Sequence, residues 1–121
     1  MQRKTVPVLN SLVFVCDSAV AGAPDIDGVG RIWRNSTGVA ISCLPDSDGA
    51  TDIILSDSDP SSDSGLVCIF DGAIDTPSGG LTVEILPDVT LFRMPVARAA
   101  TGLRVWTDGF PDTKVVWLAV S

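Results

Sequence analysis

The chain has 121 residues, 45% of them hydrophobic, and sets 15 acidic against 8 basic side chains for a formal net charge of −7. A chain of this size forms one domain over residues 1–121 and buries enough apolar surface to fold without a metal or a disulfide. The acidic balance excludes nucleic acid as a direct partner, because a duplex needs a patch of neutralising cations, and it excludes an anionic membrane surface for the same reason.

The start, MQRKTVPVLNSLVFVCDSAVAGA, has the outline of a secretory signal: Arg3 and Lys4, an apolar stretch, then Ala21-Gly22-Ala23 as a cleavage site. Asn10 and Ser11 split the apolar stretch, and Asp17 ends it early. The segment therefore reads as a short basic arm, residues 1–5, followed by strands. No run of about 18 apolar residues follows, as a membrane-spanning helix would need.

Asp-Gly then punctuates the chain at Asp27-Gly28, Asp48-Gly49, Asp71-Gly72 and Asp108-Gly109. Both residues tolerate positive φ, so the pair between apolar runs signals a turn. Strands are expected at Val6–Leu9, Leu12–Asp17, Val29–Arg34, Val39–Leu44, Thr51–Ser56, Leu66–Phe70, Leu81–Leu86, Thr90–Met94, Leu103–Thr107 and Val115–Val120. This spacing predicts an all-β fold, an antiparallel β-sandwich of jelly-roll or immunoglobulin-like type with about 8 to 10 short strands.

Alternation assigns the faces. Val39, Ile41 and Cys43 share one side, as do Leu66, Cys68 and Phe70; Leu81, Val83 and Ile85 point inward, leaving Thr82 and Glu84 outward. Leu12–Cys16 and Val115–Val120 are apolar on both faces. Such strands are expected to be covered on the outside, by a neighbouring subunit or by the N-terminal arm.

Chemistry is scarce. With no His and no Tyr, the usual general base is missing, and Ser-His-Asp or Cys-His arrangements cannot be built. Cys16, Cys43 and Cys68 sit apart in apolar runs, match no zinc spacing and read as free core thiols. Asn35-Ser36-Thr37 is formally a glycosylation sequon and more plainly a hairpin turn. The acids are 14 Asp and one Glu, Glu84. A glycosidase-type pair could draw only on Asp71, Asp75, Glu84 and Asp108, and most of these adjoin turns.

Two acidic segments resemble cation loops. Asp46-Ser47-Asp48-Gly49-Ala50-Thr51-Asp52 matches half of a calcium loop, but Asp57 stands where a bidentate Glu belongs. Asp57, Asp59 and Asp63 alternate with Ser61 and would converge on calcium in an extended loop; otherwise they form a solvated turn. A strand between the two segments puts them at opposite ends. Trp33 lies beside Arg31 and Arg34, and Trp106 beside Asp108 and Arg104. Both suit the core or a subunit interface, with sugar stacking as the other reading.

The arm MQRK, the Asp-Gly turns, the segment FDGAIDTPSGGLTVEI and the final hairpin LRVWTDGFPDTKVVWLAV together resemble small all-β accessory proteins of tailed-phage virions, of the capsid-decoration or head-tail kind. The resemblance implies a non-enzymatic assembly subunit located in the virion, a homo-oligomer seated on a capsid or other particle protein. Arg3, Lys4, Trp33 and Trp106 are then the expected interface, with Met1–Lys4 docked on a neighbour and the Asp-rich loops facing solvent. The alternative is a secreted or cell-surface module that binds carbohydrate, or binds its ligand with the help of calcium at Asp57, Asp59 and Asp63; calcium is the one cofactor considered.

Overall fold

The computed structural model describes residues 1–20, 24–86 and 89–121. In chain order the strands are β1 Gln2–Val6, β2 Leu9–Asp17, β3 Ile32–Asn35, β4 Gly38–Ser42, β5 Thr51–Ser56, β6 Val67–Asp75, β7 Gly80–Leu86, β8 Val89–Pro95, β9 Ala100–Thr107 and β10 Val115–Val120. They build two five-stranded sheets, β1-β5-β10-β9-β6 and β3-β4-β2-β7-β8. Neighbours pair antiparallel except β5 and β10, which run parallel. The chain is thus an all-β sandwich, as its turn spacing predicted.

Alternation fills the space between the sheets. Val13 and Val15 of β2, Val39 and Ile41 of β4, and Leu81, Val83 and Ile85 of β7 meet Ile53, Leu55, Leu103, Val105, Val116, Leu118 and Val120 from the other sheet. Each fully buried branched side chain stabilises the fold by about 1.5–3 kcal/mol.

The N-terminal arm is part of a sheet. Residues 2–6 form β1, paired with β5 from Gln2↔Leu55 to Val6↔Thr51. The strand expected at Val6–Leu9 is instead the passage between sheets: Pro7 follows the end of β1, and Val8 drops fully buried into the core. Asn10 and Ser11 have φ of 61° and 57°, and the β2–β7 register shifts between Leu9 and Val13. The polar pair that split the apolar stretch therefore marks a kink. Ala21-Gly22-Ala23 lies outside the described residues.

Three of the four Asp-Gly pairs fall in connections, with Gly28, Gly49 and Gly109 at φ of 75°, 135° and 121°. The fourth does not. Asp71-Gly72 is inside β6, where Gly72 stands opposite Leu103. A Cβ there would lie 3.1 Å from Phe70 Cζ and 3.4 Å from Arg34 Nη1. The glycine makes room for a ring and a guanidinium; it does not turn the chain.

That contact closes one open side of the sandwich. The Arg34 guanidinium of β3 sits 5.3 Å from the Phe70 ring of β6 and donates to the Ala73 carbonyl at 3.0 Å. On the opposite side, Lys4 Nζ of β1 stands 5.9 Å from the Phe92 ring of β8. Each pair of edge strands is thus spanned by a cation over an aromatic face. The RNSTG turn is a two-residue hairpin linking β3 to β4.

Candidate interaction surface

Strand direction dictates two long connections. β2 and β3 are both antiparallel to β4 and so parallel to each other. β5 is parallel to β10, while β9 is antiparallel to both β10 and β6, so β5 and β6 also run the same way. A chain joining parallel strands of one sheet must travel back along the sheet's length. The connections after β2 and after β5 are therefore crossover straps, described over residues 18–20 and 24–31 in the first and 57–66 in the second.

The strap 57–66 lies on the outer face of its sheet. Val116 and Leu118 are core residues, so Trp117 faces outward. Its Nε1–H donates to the Ser58 carbonyl at 2.9 Å. Arg104 Nε donates to Asp59 at 2.8 Å, and Pro60 is buried. The apolar outer face of β10 is thus met by the chain's own strap. The N-terminal arm, one of the expected covers, instead pairs beside β5 as β1.

The other strap is built alike over residues 24–31. Pro24 is buried, and Asp27 Oδ1 accepts the Trp33 Nε1–H at 2.9 Å. The same oxygen accepts the amides of Val29 and Gly30, each at 2.9 Å. The bonds from Gly30, Trp33 and Val29 draw the Asp27 carboxyl down to a pKa of about 2. Trp33 packs close enough that a Cβ on Gly30 would lie 3.1 Å from its Nε1. Ala40, opposite Trp33 on the outward side of β4, is fully buried.

The strap is anchored at its start by Asp17, which is only 2% exposed. Burial works against the charge there. It is outweighed by the amides of Ala19 and Val20 on one oxygen and by the Ser78 amide and hydroxyl on the other, which hold the carboxyl below its ordinary range.

The outward chemistry of the straps differs. Residues 57–59 and 61–65 are exposed, and all are Asp, Ser or Gly. Residues 25–29 are exposed too, but there Ile26 is 39% and Val29 85% accessible among Asp25 and Asp27. The expected strand Val29–Arg34 missed this, because β3 begins only at Ile32. A valine between Gly28 and Gly30, following an Asp able to bond the amides two and three residues on, is the signal of a turn tip.

The expected cation site does not assemble. Among the described residues, no three Asp, Glu or Cys side chains gather into a metal-binding group. Asp59 is engaged by Arg104, and Asp63 accepts the Ser61 hydroxyl at 2.6 Å, which lowers its pKa. Asp57 lies at the start of the strap, beside a shallow groove lined by Met1, Gln2, Leu55, Ser56 and Met94. In the half-loop before β5, Asp46 and Asp48 lie exposed on a 3-10 turn, while Asp52 belongs to Arg3 and Thr5.

The expected interface residues are scattered. Arg3 pairs with Asp52 at the edge of one sheet, and Lys4 stands over Phe92. Trp33 is on the other sheet, against Asp27. Trp106 faces Trp117 across β9 and β10; it is half-buried, and its Nε1 is enclosed without an acceptor.

The carboxylates that a glycosidase-type pair could have drawn on do not pair. Asp71 and Asp75 lie four residues apart on β6, about 13 Å along an extended strand, beyond the 5–9.5 Å that hydrolysis of a glycoside requires. Glu84 is on the other sheet, accepting from Thr82, and Asp108 holds the amides of Lys114 and Val115. The cysteines are free; burial pushes the Cys43 thiol up to about 11 and raises that of Cys16.

No family model and no curated protein matches the chain. Among solved structures it is similar to ComJ from Bacillus subtilis, an inhibitor of the DNA-degrading activity of NucA. The TM-score is 0.72, the match covers 99% of this chain and 94% of ComJ, and the identity is 10%. The likeness shows the fold. It also corrects the expected role as a virion assembly subunit, because the solved structure with this architecture is that of a nuclease inhibitor.

Proposed function

We propose that the chain is a non-catalytic inhibitor that acts by binding another protein, with a nucleic-acid-degrading enzyme as its class of partner. The net charge of −7 carries this reading. A chain so acidic is repelled by nucleic acid, so it can restrain degradation only by engaging the enzyme. An enzyme that grips polyanions must itself present a cationic surface, and opposite charge accelerates encounter and favours the right partner. The likeness to ComJ supports the same class of partner. The lack of His and the separation of Asp71, Asp75, Glu84 and Asp108 support a role without catalysis.

The test is to titrate the purified chain into NucA acting on DNA, at low and at high ionic strength. Cleavage should fall with the ratio of chain to enzyme, should not depend on the ratio of chain to DNA, and should recover as salt is added. An unchanged cleavage rate with the chain in molar excess at low salt would overturn the reading.

A further inference from the structure

We infer that the tip of the strap between β2 and β3, with Val29 and Ile26 as apolar anchors flanked by Asp25 and Asp27, is the segment that docks on the partner. The inference rests on the reading proposed above and deepens it by naming the surface.

A single exposed apolar residue is ordinary on a protein surface. Four observations set this one apart. Val29 is 85% exposed, above every other exposed large hydrophobic among the described residues, the terminal Met1 at 82% included. It is also held in place: one Asp27 oxygen receives the Val29 amide, the Gly30 amide and the Trp33 indole. Trp33 belongs to β3, so the tip is tied to the sheet. A loop already ordered gives up little conformational entropy on binding, which favours affinity.

The third observation is the comparison within the chain. The strap 57–66 solves the same topological problem, accepts a tryptophan indole N–H (on a backbone carbonyl), buries a proline, and exposes no large apolar side chain. Crossing a sheet therefore does not require a valine in water, and Val29, at 85% exposed, buries little apolar surface in the fold. The fourth is charge. Asp25 and Asp27 flank Ile26 and are exposed, so the tip fits an apolar pocket rimmed by cations. A second copy of this chain would bring a further −7 to the contact and is disfavoured as the occupant. A cationic enzyme surface satisfies both the apolar and the acidic parts.

The experiment compares wild type, Val29→Ser, Ile26→Ser and Val67→Ser for inhibition and for calorimetric binding of NucA. Val67 is 62% exposed on β6, an edge strand of the other sheet, and serves as the control. Val29→Ser is expected to raise the half-inhibiting concentration about tenfold, Ile26→Ser by less, and Val67→Ser not at all. Circular dichroism establishes that each variant is folded. Independently of any variant, NucA should slow hydrogen exchange at the Val29 and Gly30 amides of the wild type. Inhibition by Val29→Ser equal to wild type would overturn this inference and leave the proposed function standing. Failure of the wild type to bind or inhibit NucA would overturn both. Light scattering that found a wild-type dimer and a Val29→Ser monomer would assign the tip to self-association and overturn the inference.

Discussion

The indole of Trp33 and the carboxylate of Asp27 are six residues apart and meet at 2.9 Å on the outside of the sandwich. The bond joins a strap residue to a strand residue, and the same carboxylate oxygen accepts the amides of Val29 and Gly30. Asp27→Ala removes the acceptor for all three donors. The expected result is faster hydrogen exchange at the Val29 and Gly30 amides and a red shift of tryptophan emission, with the rest of the sheet unaffected. Unchanged exchange at both amides would show that the turn holds itself without Asp27.

Acid should unfold the protein through Asp17 and Asp27. Both carboxyls are depressed in the folded state, Asp27 to about 2, whereas an unfolded Asp titrates near 3.9. Between those values the unfolded chain takes up protons that the folded chain refuses, so stability falls as pH falls from about 4 toward about 2. With no His, no side chain of that type adds a transition between pH 5 and 8. Melting temperatures measured at constant ionic strength should therefore be flat near neutrality and drop steeply in the acid window. Asp27→Asn keeps an acceptor oxygen but loses the charge, and it should make the acid drop shallower. An identical profile for Asp27→Asn would remove Asp27 from the account.

Much of the sandwich was legible because period-two alternation is a local property. Val39, Ile41, Leu81, Val83 and Ile85 needed only their own strands to be placed inward. The straps were not legible, because they follow from which strands are parallel, and that depends on pairings such as Val115↔Asp52 between distant segments. For the same reason LSDSDPSSDSG read as a loop with a choice between solvent and calcium. Its third option, lying on Trp117 with Arg104 against Asp59, appears only once β5 and β6 are known to run the same way. Asp27-Gly28 and Asp71-Gly72 carry the same dipeptide, yet one is a turn and the other is mid-strand. What separates them is Phe70 and Arg34, and Arg34 is remote in sequence.

Gly72 offers a direct check on that distinction. Gly72→Ala gains strand propensity, worth about 0.5–1 kcal/mol relative to glycine in a strand. It also places a Cβ 3.1 Å from Phe70 Cζ, and forcing a packed side chain aside typically costs about 1–3 kcal/mol. The clash should win, by about 1 kcal/mol in urea denaturation, with Gly72→Val worse. A Gly72→Ala protein as stable as wild type or more so would show that Phe70 and Arg34 yield to the added methyl and that the glycine is not needed for space.

The strap 57–66 is tied to the outer face of its sheet by the Trp117–Ser58 hydrogen bond and the Arg104–Asp59 ion pair, and the two should not contribute equally. Trp117→Phe keeps most of the aromatic surface and removes the Nε1–H that reaches Ser58, leaving a carbonyl without its donor. A hydrogen bond of this kind is worth about 0.5–1.5 kcal/mol. Asp59→Asn weakens the pair with Arg104, but both side chains are well exposed, at 40% and 36%, and exposed pairs are screened by water and salt. Urea denaturation should therefore rank Trp117→Phe as the more damaging change at physiological salt. Raising the salt should shrink the Asp59→Asn effect and leave the Trp117→Phe effect intact. The opposite ranking would mean that the strap is held chiefly by charge, and its acidic composition would then be structural rather than a solvated surface.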